Sequence, residues 1–191
     1  MVSSWAYYRN GDLTTDTGKL MVPEKADYRF VQEITRAKDS LGVTPGGKVR
    51  TEWNFASAEP TTMAVEGCDE FSPVPTVCEA MPAVQLDHDM PLNALNQASA
   101  KKAYSFTVNA GRAKGWTGST AMDGAKVSVS YDDGVTWNSA KVRREDSNSF
   151  RVELRHPRKA DTNGFVTLRT EAWDSAGNRT VQTITRAYAL K

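Results

Sequence analysis

The stretch Ser130-Tyr131-Asp132-Asp133-Gly134-Val135-Thr136-Trp137 constrains the fold of this chain more than any other. It follows Lys126-Val127-Ser128-Val129-Ser130-Tyr131, where apolar and polar residues alternate with the period of two of a half-buried strand. A second run after it reaches Val142. Between two such runs Asp133-Gly134 is a bend, because glycine takes a positive φ without steric cost and Asp-Gly favours the tight turns of hairpins.

The rest of the second half has the same rhythm. Ala103 to Val108, Phe150 to Leu154 and Phe165 to Trp173 alternate, Val84 and Leu86 share a face, and Thr180 to Tyr188 forms a last run. Strands near 84, 104, 127, 138, 151, 168 and 183 are seven in roughly 100 residues, the pattern of an immunoglobulin- or fibronectin-like sandwich. The Cys–Trp–Cys set of antibody domains is missing, so that likeness is architectural. In the first half, Trp5 to Arg9 reads as a strand ended by Asn10-Gly11-Asp12. Ala26 to Arg36 suits a strand with Tyr28, Phe30, Gln32 and Ile34 on one face, a helix being the competing reading. Val49 to Ala56 turns Val49, Thr51, Trp53 and Phe55 inward. From Glu59 to Pro82 periodicity is lost.

The expectation is an all-β chain of two β-sandwich modules, residues 1–82 and 83–191. Charge supports the division: residues 1–82 hold 8 Lys/Arg and 12 Asp/Glu, and residues 83–191 hold 16 and 11. The overall net charge is +1, so no bulk field favours nucleic acid or an anionic membrane. No apolar run approaches the ~20 residues of a membrane helix.

The octet fits the Asp-box pattern Ser-x-Asp-x-Gly-x-Thr-Trp at every specified position. Ser130, Asp132, Gly134, Thr136 and Trp137 are expected to act structurally, with the carboxylate bonding turn amides and the indole packing under the hairpin. The pattern occurs on β-propeller glycosidases and on unrelated sandwiches. One copy is far from a propeller, so it predicts a hairpin and not a glycosidase.

Cys68 and Cys78 flank a loop rich in proline and turn residues. A pair this close suits a disulfide in an oxidising compartment, two free thiols being the alternative. No second Cys pair or His pair offers a zinc site. The opening Met1-Val2-Ser3-Ser4-Trp5 lacks the basic and apolar regions of a signal peptide. The chain is then either cytosolic or a piece of a longer secreted protein with Met1 added; extracellular location is the expectation.

Candidate sites are few. His88, between Asp87 and Asp89, could bind a metal or titrate, but alternation sends its neighbours to the opposite face and an exposed linker is expected. His156, before Pro157, reads as a surface loop. Asp132 and Asp133, with Asp123, could offer oxygens to Ca2+, against turn capping as the plainer role; no other cofactor is implied. Trp116, in Lys114-Gly115-Trp116-Thr117-Gly118, is the best candidate for an exposed aromatic that binds a ligand. Lys141, Arg143, Arg144, Arg151, Arg155, Arg158 and Lys159 form a basic cluster that could meet an acidic partner, by default a solvated face. No Gly-x-Ser-x-Gly elbow occurs.

Val166-Thr167-Leu168-Arg169-x-x-Ala172-x-Asp174-x-Ala176-Gly177-Asn178, ending in Thr185-Arg186-Ala187-Tyr188-Ala189-Leu190, resembles the C-terminal end of large secreted subtilisin-like serine proteases of actinobacteria. Pro23-x-x-x-Asp27-Tyr28-Arg29-Phe30, Arg36 and Thr51-x-Trp53-x-Phe55-x-Ser57 are similar to the β-rich module after their catalytic domain. The resemblance spans most of positions 23–190 and implies a non-catalytic accessory region that stabilises a protease domain in the same parent chain, or positions it on a protein or polysaccharide substrate. The nucleophile and base contexts of that family, Gly-Thr-Ser-Met-Ala and His-Gly-Thr-His, are both absent. The alternative is a free-standing carbohydrate-binding or adhesion module.

Overall fold

The computed structural model describes residues 1–14, 24–36, 46–59, 80–113 and 115–191. The expected Cys68–Cys78 bridge lies outside the described residues. The described chain is all-β: β1 (Val2–Arg9), β2 (Asp12–Thr14), β3 (Ala26–Thr35), β4 (Lys48–Ser57), β5 (Val84–Asp89), β6 (Gln97–Ala98), β7 (Ala103–Arg112), β8 (Gly124–Ser130), β9 (Asn138–Ser139), β10 (Lys141–Arg144), β11 (Ser149–Arg155), β12 (Phe165–Trp173) and β13 (Arg179–Leu190). A 3-10 turn, Lys159–Asp161, precedes β12. Ala26–Thr35 is a strand and not the competing helix. Its Tyr28, Phe30, Gln32 and Ile34 lie opposite Phe55, Trp53, Thr51 and Val49 of β4, so both alternating sets share a face.

These strands make two sheets. The larger runs β2-β1-β3-β4-β13-β12-β8-β9, with β6 added parallel to the end of β13; the smaller runs β10-β11-β7-β5. Among the described residues the first half forms one sheet layer, which continues into the second half where β4 pairs with β13 from Asn54↔Arg179 to Lys48↔Thr185. The physical reason is edge chemistry. β13 is a long strand with free backbone groups on one side, and β4 satisfies them.

The core lies between the sheets. Val127, Val129, Val166, Leu168 and Tyr188 of the larger sheet meet Phe106, Val108 and Val152 of the smaller, all at most 2% exposed. A second cluster joins Tyr28, Phe30 and Phe55 to Ala26 and Ala83. Three polar ties also link the layers. Thr180 Oγ1 donates to the Val84 carbonyl at 2.6 Å, His88 Nε2 lies 2.8 Å from Thr170 Oγ1, and the Arg112 guanidinium pairs with Asp174.

Two irregularities shape the far end. After β9 the chain leaves the larger sheet at Ala140, whose N–H donates to the Val127 carbonyl at 2.9 Å, and re-enters the smaller sheet as β10. The run reaching Val142 is thus two short strands in different layers. In β13, Thr185, Arg186 and Ala187 oppose the single residue Thr167 as a bulge. Arg186 takes φ 53°, and its N–H donates to Thr167 Oγ1 at 3.0 Å, satisfying a hydroxyl that is 2% exposed.

Candidate functional site

The octet builds its own support. Ser130 Oγ donates to Asp132 Oδ1 at 2.6 Å and accepts the Gly134 N–H at 2.7 Å. Thr136 donates its N–H to Asp132 Oδ1 at 2.9 Å and its hydroxyl to Oδ2 at 2.6 Å, and Trp137 Nε1 donates to the Gly134 carbonyl at 3.0 Å. Asp133 and Gly134 both take positive φ, 60° and 98°. Hydrogen bonds from Ser130 and then Thr136 hold the Asp132 carboxyl down to about 2. Asp133 is engaged from the bulge, where Arg186 donates Nη2 to Oδ2 at 2.7 Å and Nε to Oδ1 at 3.0 Å, which lowers the Asp133 carboxyl. Arg169 lies over the Trp137 ring at 4.1 Å. Both carboxylates proposed for Ca2+ are thus bonded by protein donors. Among the described residues no three His, Cys, Asp or Glu side chains converge as metal ligands do.

Both histidines sit elsewhere than expected. His88 is not in an exposed linker: β5 extends to Asp89, and alternation turns the imidazole inward against Phe106 while Asp87 and Asp89 stay exposed. Burial lowers its pKa. His156 is not on a surface loop either, being 1% exposed. Its N–H donates to the Lys102 carbonyl at 3.0 Å, which folds the residue after β11 into a ring cluster of Tyr104, Tyr131 and Tyr188. Nδ1 lies 3.2 Å from Tyr131 Oη. His156 Nε2, Tyr104 Oη and Tyr188 Oη are buried without a partner, and burial pushes His156 down to about 4 and Tyr104 up to about 12. Outside this cluster a cleft of about 710 Å³ opens between the octet and the end of β11, edged by Lys101, Thr136, Asn138, Arg155 and Arg158.

The Asp174–Asn178 turn joins four parts of the molecule. Asp174 accepts the N–H groups of Ala176 at 3.0 Å and Asn178 at 2.9 Å, and Asn178 Nδ2 at 2.8 Å. The same carboxylate pairs with Arg112 of β7, and Arg112 also donates to the Pro82 carbonyl. Asn178 Oδ1 accepts the Ala56 N–H of β4 at 3.3 Å. Gly177, at φ 86°, supplies the left-handed residue that the turn requires.

Trp116 is half-buried: its Nε1 donates to the Ser119 carbonyl at 3.0 Å, its ring covers Gly118, and Arg112 lies 5.2 Å from its centroid. The tryptophan left most open among the exposed large side chains is Trp5, 48% exposed, stacked on Tyr7 and Trp53. The sequence signal for it was Trp5 and Tyr7 at period two; the partner on β4 needed the sheet order. Much of the basic cluster lies on paired β10 and β11, where Arg143 stands opposite Arg151, and three of its arginines are tied to protein acceptors. Arg144 donates to the Met122 and Asp123 carbonyls, Arg151 to Ser105 Oγ, and Arg158 pairs with Asp161. No family model matches the chain, and no curated protein matches it.

Proposed function

We propose that this chain is a non-catalytic accessory region of a secreted subtilisin-like serine protease, acting through its surfaces to stabilise or position the catalytic domain. The observation that carries the reading is the neighbourhood of four strands. β3 and β4 hold Asp27–Phe30 and Thr51–Phe55; β13 holds Thr185–Leu190, and β12 with the turn after it holds Val166–Asn178; and these strands lie side by side in one sheet. The two parts of the resemblance thus belong to one surface. In this reading β5 to β13 form an immunoglobulin-like sandwich, and the octet is an Asp-box bracing it. His88 and Thr170 stand at the distance of a base and a hydroxyl nucleophile, but Thr170 is 0% exposed, with no space for a substrate.

The test joins the chain to the catalytic domain encoded in its parent reading frame. The fusion is expected to outlast the isolated protease at elevated temperature, and the purified chain is expected to take no label from a serine-reactive fluorophosphonate. A labelled serine in this chain, or a parent reading frame with no protease domain, defeats the proposal.

A further inference from the structure

We infer that the Trp5–Tyr7–Trp53 face of the larger sheet binds an uncharged carbohydrate. The inference goes beyond the accessory role and holds for either a protease-linked or a free-standing module. It starts from the unequal sizes of the two layers. The smaller sheet ends at β5, which packs over β12 and β13. The larger sheet continues past that edge through β4, β3 and β1. On this extension Trp5 of β1 reaches across β3 to Trp53 of β4, with ring centroids 6.1 Å apart and planes 13° apart. Tyr7 stands 6.0 Å from Trp5 with planes 4° apart. Three aromatic rings thus share nearly one orientation, and the outermost is about half exposed.

The neighbouring side chains select the ligand. Trp5 lies opposite Gln32, Gln32 opposite Thr51, and Thr51 opposite Gln182, a row of amides and a hydroxyl across four strands. Gln182 Nε2 donates to Thr51 Oγ1 at 3.1 Å and Thr51 is buried, so the half-buried Gln32 opposite Trp5 is the amide of this row that a ligand would meet. The row on the other side, Ser3, Ile34, Val49 and Ile184, carries no charge either. Arg9, opposite Tyr28, is charged and shares this face beyond Tyr7, but the two rows at Trp5 and Ser3 offer a charged partner no counter-charge. A purely aliphatic one would leave the Gln32 amide unpaired. A pyranose chain offers what fits both features: C–H faces to lie on aromatic rings, and hydroxyls that donate to and accept from side-chain amides.

The experiment titrates the whole chain with neutral hexasaccharides (cellohexaose, laminarihexaose, xylohexaose, mannohexaose and chitohexaose), read by tryptophan fluorescence and calorimetry. Heparin and a proline decapeptide serve as comparison ligands. At least one neutral hexasaccharide is expected to bind with an affinity unchanged by 0.5 M salt, and Trp5→Ala to weaken it by about tenfold or more. Trp5 is on the surface, and the melting curve of the variant checks that the fold is kept; Gln32→Ala gives a second variant that leaves the rings in place and should also weaken binding. Failure of all five hexasaccharides to bind overturns the inference, as does binding indifferent to Trp5→Ala. So does preference for heparin or the proline peptide. None of these failures touches the protease reading, which the fluorophosphonate and fusion experiments decide.

Discussion

At the scale of single residues, His156 shows how burial can turn a side chain expected at the surface into a determinant of stability. Its imidazole is 1% exposed and its Nε2 has no partner, so the folded protein disfavours the charged form and lowers the pKa from 6.5 to about 4. The unfolded chain therefore binds this proton more readily than the folded one. The stabilisation is complete above about pH 6.5 and is lost as pH falls toward 4. Urea midpoints measured from pH 7.5 to 4 are expected to decline over that window. The slope should be smaller in His156→Phe, the remainder including His88, whose pKa burial also lowers. An unchanged slope would mean that His156 does not titrate on unfolding. Asp132 acts by another route, since four octet groups depend on it or on Ser130 beside it. Asp132→Ala should lower Tm by several degrees without altering Ca2+ affinity. A retained Tm with loss of Ca2+ binding would replace the bracing role with a metal site.

At the scale of elements, the Asp174–Asn178 turn ties more of the molecule together than its length suggests. Asp174→Ala removes three hydrogen bonds and leaves Arg112, whose side chain is 2% exposed, without its counter-ion. An uncompensated buried guanidinium costs about 3–5 kcal/mol, and chemical denaturation should show a loss of that order. A loss typical of a surface turn, below about 0.5 kcal/mol, would mean that Arg112 finds another partner. This turn also marks where sequence reading stops. Asp-x-Ala-Gly-Asn announces a turn through its own side chains, and the alternation in Val166, Leu168, Thr170 and Ala172 announces a buried face. Arg112, Pro82 and Ala56 are distant in the chain, and nothing local names them as partners. The same division holds for the histidines. Alternation correctly opposed His88 to Asp87 and Asp89, but its burial depended on which sheet would cover β5. For Trp5, the strand reading of Trp5 to Arg9 assigned no face; period two alone would have put it beside Tyr7, while Trp53 became its neighbour only once β1, β3 and β4 had paired.

At the scale of the whole molecule, the pairing of β4 with β13 makes the two halves one antiparallel surface. Hydrogen bonds across that junction break only if one half unfolds away from the other. Amide exchange is therefore expected to give β4 and β13 similar opening free energies, and thermal unfolding a single transition. Two separated transitions, with β4 exchanging long before β13, would show that the halves fold independently. Strand alternation made every long strand legible, yet the sheet order was not, because the same pattern serves a strand with either neighbour.

The β4–β13 junction has a consequence for anyone who divides the gene. Cutting the protein where periodicity resumes after residue 82 would leave the second piece with a raw edge along β13, from Arg179 to Thr185, and the first with its complement along β4. Each piece alone would be prone to stick to copies of itself. Produced together, the two would be expected to find each other and restore the whole, as the halves of a split reporter do.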